Sequence, residues 1–155
     1  MNLLPITLDI NGEKRLVSIR AADTLLYVLR EKLGLTGSKP GCSNGDCGAC
    51  TITINGSPMK SCLMLAIEAV DLEIMTIEGL KAAPIQIAFV EEFAFQCGYC
   101  TPGFIMNSHS LVNHHPNASD KQLKEWLSSN ICRCTGYEEI ERAVRSVLRK
   151  NNEEN

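Results

Sequence analysis

Eight cysteines constrain this chain more than any other feature. They stand at Cys42, Cys47, Cys50 and Cys62, then at Cys97, Cys100, Cys132 and Cys134, two quartets separated by a long cysteine-free gap. At about 5% of the chain they fall short of the roughly 8–10% that marks a disulfide scaffold. The opening run Met1-Asn2-Leu3-Leu4-Pro5 has no basic segment and passes straight into a strand pattern, so a cytoplasmic chain without a secretion signal is expected. In that compartment clustered cysteines are read as metal ligands rather than as disulfides.

Cys42, Cys47 and Cys50 follow the spacing C-x4-C-x2-C, and Cys62 lies beyond a hairpin. This is the pattern of a plant-type [2Fe–2S] site. Gly41, Gly45 and Gly48 free the loop from side chains, so that backbone N–H groups can turn toward sulfur. Asp46, the one charged residue inside the loop, is expected to face water. Zinc also takes four thiolates, but its ligands usually come as two short knuckles rather than three crowded into one Gly-rich loop. The second quartet is Cys97-Gly98-Tyr99-Cys100 with Cys132-Arg133-Cys134. Its spacing alone leaves iron–sulfur and zinc both open, and leaves Arg133 either solvent-facing or beside the metal. A thioredoxin-like C-x-x-C would need a βαβ setting, which is not found here.

The first half reads as strands. Ile6, Leu8 and Ile10 alternate, Asn11-Gly12 makes a two-residue turn, and Leu16-Val17-Ser18-Ile19 return. Leu25, Leu26, Val28, Leu29 and Leu33 have helical spacing, with Asp23 expected as cap and Gly34 as stop. Thr51-Ile52-Thr53-Ile54 and Met59 flank a second turn at Asn55-Gly56, and Leu72, Ile74 and Ile77 suggest a last strand. From Ala83 the period becomes helical. Pro84 opens a helix through Ile87, Ala88 and Phe95, and Pro102 opens another through Phe104, Ile105 and Leu111, ending near His115-Pro116. Ser119-Asp120-Lys121-Gln122 has capping-box form ahead of Leu123, Trp126 and Leu127, and Thr135-Gly136-Tyr137-Glu138 has the same form. After it, Ile140, Ala143, Val144, Val147 and Leu148 make a buried stripe, and the tail 151–155 is expected to fray. The expected fold class is α+β: a sheet domain over residues 1–78, then a four-helix domain over residues 79–155.

A net charge of −3 and eight aromatics give no electrostatic case for nucleic acid, and no apolar run approaches the roughly 20 residues of a membrane span. No dinucleotide fingerprint, P-loop, nucleophile elbow or HExxH occurs. His109, His114 and His115 sit where imidazoles suit a helix C-terminus. Asn117-Ala118-Ser119 is a sequon in form and a helix start in function, and Lys39-Pro40 is a loop entry.

Three runs carry a resemblance. Gly41-Cys42-Ser43-Asn44-Gly45-Asp46-Cys47-Gly48-Ala49-Cys50-Thr51, Gln96-Cys97-Gly98-Tyr99-Cys100-Thr101-Pro102-Gly103 and Asn130-Ile131-Cys132-Arg133-Cys134-Thr135-Gly136-Tyr137 resemble, in order, three motifs of the small iron–sulfur subunit of the molybdenum hydroxylases. Ser129 departs from the glycine more usual before that asparagine. The resemblance implies a ferredoxin-like β-grasp domain followed by a four-helix bundle, and a [2Fe–2S] cluster on each quartet. It implies no substrate turnover by this chain alone: a large partner subunit would bind molybdopterin and a medium one FAD. Gln96 would contact the pterin cofactor from beside the inner cluster of Cys97, Cys100, Cys132 and Cys134. Electrons would pass from there to the outer cluster of Cys42, Cys47, Cys50 and Cys62, then to flavin. A xanthine dehydrogenase-type complex is the first expectation; carbon monoxide, aldehyde and N-heterocycle oxidoreductases use similar small subunits. From a different class, a zinc-stapled interaction module would have no redox role, and a free-standing ferredoxin would not need the helical half.

Overall fold

The alternation near the start folds into an antiparallel hairpin of β1 (Leu4–Ile10) and β2 (Glu13–Ile19), paired from Leu4 opposite Ile19 to Ile10 opposite Glu13. Its turn residues Asn11 (φ +55°) and Gly12 (φ +80°) are both left-handed, as a two-residue hairpin turn requires. β3 (Thr51–Ile54) and β4 (Ser57–Lys60) form the second hairpin, and β5 (Glu73–Met75) joins the two. The sheet order is β2-β1-β5-β3-β4, with β1 and β5 parallel and the other pairs antiparallel. The computed structural model describes residues 3–153, so Met1 and Asn2 of the opening run and Glu154 and Asn155 of the tail lie outside the described residues.

One face of the sheet, with Leu8, Ile10, Val17, Ile19, Ile52 and Ile74, packs on Leu25, Val28 and Leu29 of the helical segment that crosses it. That segment differs from the single helix expected. Thr24, not Asp23, caps α1 (Leu25–Tyr27), its hydroxyl accepting from the Tyr27 N–H at 3.2 Å. The Asp23 carboxylate is engaged instead by Arg20, whose N–H and Nε each donate at 2.8 Å. The chain then widens into a π-helical turn, Val28–Lys32, closed by the Leu33 N–H donating to the Val28 carbonyl at 3.1 Å.

The second half is four helices: α2 (Pro84–Glu91), α3 (Thr101–His114), α4 (Asp120–Leu127) and α5 (Glu138–Glu153). Ser119 forms the expected capping box, accepting from the Gln122 N–H at 3.3 Å while Gln122 Oε1 accepts from the Ser119 N–H at 2.9 Å. Thr135 does not form its box. Tyr137 is left-handed (φ +68°), so α5 starts only at Glu138 and runs on through Glu153 where fraying was expected. The stripe of Ile140, Ala143, Val144, Val147 and Leu148 is buried as its spacing requires, against Ile85, Phe89, Phe104, Leu111 and Leu123. Leu33 and Leu72 fall one residue outside their elements, and two further apolar residues miss theirs altogether. Ile77 falls in a 3-10 turn (Ile77–Gly79) that packs on the helical core, and Phe95 follows a left-handed Phe93 (φ +53°) beyond the end of α2.

The two halves meet along a polar seam. All four residues of β3 are buried, because α3 covers its threonine face as the hydrophobic core covers its isoleucine face. The α3 residues buried with Thr51 and Thr53 include Gly103, Asn107, Ser108 and Ser110. Gly103 has no alternative, since a Cβ there would strike the Gly48 carbonyl. Among the described residues no helix is long and apolar enough to cross a membrane.

Candidate metal centres

The loop from Gly37 to Cys50 contains no helix or strand and delivers three cysteines, and the turn after β4 delivers Cys62. Its backbone faces sulfur. The Cys47 N–H donates to Cys42 Sγ at 3.2 Å and the Ala49 N–H to Cys47 Sγ at 3.5 Å. A side chain at Gly41 would strike Cys47 Sγ, so the approach of loop to thiol depends on that glycine. Donation from the Cys47 N–H, aided by Asn44, brings the Cys42 thiol down to about 7. Cys62 moves the other way, to about 11, first through burial and then through a thiol–thiol hydrogen bond with Cys50. Asp46 is exposed and accepts from Asn44 Nδ2 at 2.8 Å, turned to water as its charge requires.

The second quartet sits where α2 turns into α3 and where α4 turns into α5. Cys134 Sγ lies 3.6 Å from Cys97 Sγ. Burial, and then a hydrogen bond shared with Cys132, pushes the Cys100 thiol up to about 12. Burial also opposes ionisation of Cys132, but the Thr135 hydroxyl and N–H outweigh it and lower that thiol. Tyr137 steadies the same residue twice: its phenol oxygen accepts from the Cys132 N–H at 3.0 Å and donates to the Cys132 carbonyl at 3.1 Å. Gln96 and Arg133 are both exposed beside this quartet, and Arg133 lines the cavity there.

Cys97 and Cys134 thus meet sulfur to sulfur, and the electrostatics couples the other thiols in twos, Cys42 with Cys47, Cys50 with Cys62 and Cys100 with Cys132. Within each quartet the pairs lie in electrostatic reach, Cys42 acting on Cys62 and Cys97 on Cys100. Four thiols in two pairs, with N–H groups aimed at sulfur, fit a binuclear iron–sulfur cluster, which takes two thiolates per iron. Among the described residues no three Cys, His, Asp or Glu side chains gather as a single-ion site would need. His114 Nδ1 lies 2.9 Å from the Ser110 carbonyl in the last turn of α3, and the His115 ring packs 5.3 Å from Trp126.

One cavity touches both quartets. A cavity of about 170 Å³ is lined by Cys97, Cys100, Cys132 and Cys134, and also by Gly41 and Cys47. The Ile131 N–H donates to the Cys47 carbonyl at 2.9 Å. Beside it Asn130 Nδ2 donates to the Gly48 carbonyl at 2.9 Å, while its Oδ1 accepts from Asn107 Nδ2 at 2.9 Å. Tyr99 adds a bond from its hydroxyl to the Pro40 carbonyl at 2.7 Å. Ser129 keeps an ordinary backbone conformation, so nothing there requires the more usual glycine. The sequence reading missed this network. Its signal was present: Asn107, Ser108, His109 and Ser110 form a polar run between Met106 and Leu111 on a helix whose apolar residues are meant for a core.

Comparison with known proteins follows the same division. Residues 8–73 match the family model of the 2Fe-2S iron-sulfur cluster binding domain, and residues 76–145 that of the [2Fe-2S] binding domain. The chain is 44% identical over 154 residues to the nicotinate dehydrogenase small FeS subunit of Eubacterium barkeri, spanning 97% of this chain and 98% of that protein. Against a probable xanthine dehydrogenase subunit of Bacillus subtilis it is 41% identical over 148 residues, 94% of this chain and 86% of that protein. A chain in the crystal structure of quinoline 2-oxidoreductase from Pseudomonas putida 86 superposes with a TM-score of 0.91 at 40% identity, over 97% of both chains. With two [2Fe–2S] binding domains and relatives matched over nearly their whole length, the chain belongs to the small iron–sulfur subunits of the molybdenum hydroxylases, and is an electron-transfer subunit of such a multi-subunit oxidoreductase.

Proposed function

We propose that this chain carries single electrons from a molybdenum centre on a large molybdopterin-binding subunit to FAD on a medium subunit, entering through residues 79–155 and leaving through residues 1–78. Cys97, Cys100, Cys132 and Cys134 hold the inner [2Fe–2S] cluster, and Cys42, Cys47, Cys50 and Cys62 the outer one. Each cluster, when bound, takes up and gives back one electron at a time, while the two-electron substrate chemistry stays with the partner's cofactor. Gln96, exposed immediately before Cys97, meets the pterin cofactor.

One observation carries the reading: the hydrogen bond from the Ile131 N–H to the Cys47 carbonyl at 2.9 Å. Ile131 precedes Cys132, so one hydrogen bond and one intervening residue connect a ligand of each cluster. The complex is cytoplasmic and of the xanthine dehydrogenase type. Nicotinate, xanthine and quinoline in the names of the relatives point to a nitrogen heterocycle as its substrate. Specificity resides in the large subunit.

Dithionite-reduced protein shows two distinguishable paramagnetic signals; Cys47→Ser abolishes one and Cys132→Ser the other. In an anaerobic assembled complex, Cys47→Ser leaves the inner cluster reducible by substrate while flavin stays oxidised. Rapid flavin reduction in that complex overturns the order.

A further inference from the structure

Lys60 closes β4 two residues before Cys62, and its ammonium reaches across the seam between the halves. Nζ donates to the Ser129 carbonyl at 2.6 Å and to Thr51 Oγ1 at 3.3 Å. Thr51 follows Cys50 directly, and its own hydroxyl donates to the Gly48 carbonyl at 2.7 Å. Ser129 stands three residues before Cys132. One half-buried cation is therefore bonded to the backbone of the inner-cluster loop and to the strand leaving the outer-cluster loop.

Both bonding partners are neutral oxygens. Glu125 lines the same groove but pairs with Lys121 at 3.8 Å, and among the described residues no carboxylate pairs with Lys60. A half-buried ammonium without a counter-charge is unfavourable unless an anion lies close by. Geometry places the outer quartet beside it: Thr51, whose Oγ1 accepts from Lys60 Nζ at 3.3 Å, adjoins Cys50, and Cys62 follows Lys60 by two residues. The missing counter-charge is thus the outer cluster with its four thiolates.

We propose that Lys60 is a positioning residue whose standing positive charge raises the reduction potential of the outer cluster, a role that rests on the ligand assignment above. Reduction adds a negative charge to a site that is already anionic, so a nearby cation stabilises the reduced form more than the oxidised one. The step it favours is the transfer of one electron from inner to outer cluster, with no bond made or broken and no proton moved. The charge biases that transfer toward the flavin side.

The test is an EPR-monitored redox titration of the full chain with both clusters, the outer signal being the one lost in Cys47→Ser. Lys60→Met shifts the outer-cluster midpoint to lower potential and the inner one by less. Lys60→Gln, which keeps a donor for the Ser129 carbonyl, shifts it in the same direction. Lys60→Arg, which keeps the charge, restores the native midpoint. An unmoved outer midpoint in Lys60→Met or Lys60→Gln refutes the role, and so does Lys60→Arg shifting as far as Lys60→Met. A native chain without two separate signals refutes the ligand assignment instead.

Discussion

Asn130→Ala tests whether the seam fastens the two halves. Asn130 is 2% exposed, and its side chain makes three hydrogen bonds: to the Gly48 carbonyl at 2.9 Å, from Asn107 Nδ2 at 2.9 Å and from Ser129 Oγ at 3.1 Å. At about 0.5–1.5 kcal/mol each, their loss destabilises the holo chain by about 2–4 kcal/mol. The loss is cushioned because the Gly48 carbonyl still accepts from the Thr51 N–H at 3.1 Å, and Asn107 still donates to the Trp126 carbonyl at 3.0 Å. Urea denaturation followed by far-UV circular dichroism measures the change, with Asn117→Ala as an exposed control. Asn130→Asp is worse than alanine, because it keeps the acceptor, loses the donor facing Gly48 and buries a charge. A loss below about 0.5 kcal/mol for Asn130→Ala is what an inert surface position gives, and it refutes the reasoning.

Metal-site assembly contributes to folding of the outer loop, so the apo-protein is cut by protease first between Gly37 and Cys50; resistance there without iron contradicts this. Asp23 gives a pH dependence. The Arg20 N–H and guanidinium hold its carboxyl below the usual range, so its stabilisation is complete above that range and is lost as pH falls through the lowered folded value. Asp23→Asn is therefore less stable than the native chain at neutral pH, and the gap closes below pH about 4; a gap that is constant with pH contradicts the assignment.

The sequence disclosed what depends on local periodicity and covalent chemistry. Both Asn-Gly hairpins, the α5 stripe and the Ser119 cap follow from neighbours within a few positions, and the thiols converge because cysteine spacing, glycine and turn chemistry act together. The misreadings share another cause. Asp23 suits a cap in isolation, but Arg20 competes for it at 2.8 Å, leaving the helix to Thr24. Ile77 fits a strand by alternation, yet the helical core draws it into a 3-10 turn. Asn107, Ser108 and Ser110 draw no reading at all, because a polar run on a helix has no assigned place until the elements that bury it are known. Tertiary competition decides each case, and no short window contains it.

The polarity of the seam has a functional logic. Electron transfer between two centres weakens steeply with distance, so the cluster loops must hold one separation rather than an average of several. Apolar faces stick without direction and tolerate slippage, because their free energy follows buried area and not angle. The bonds from Ile131 to Cys47, Asn130 to Gly48, Tyr99 to Pro40 and Ser110 to Gly56, each 2.7–2.9 Å long, are satisfied at one placement only. Sliding the whole helical half along β3 by one residue breaks all four and drives Gly103 off the Gly48 carbonyl that its missing side chain admits. Directional bonds add little net stability each, but a misplaced buried partner left unpaired costs about 1–3 kcal/mol. The seam therefore gains its precision from the penalty on wrong arrangements, which is why buried asparagines and serines stand where leucines would bind the two halves more tightly.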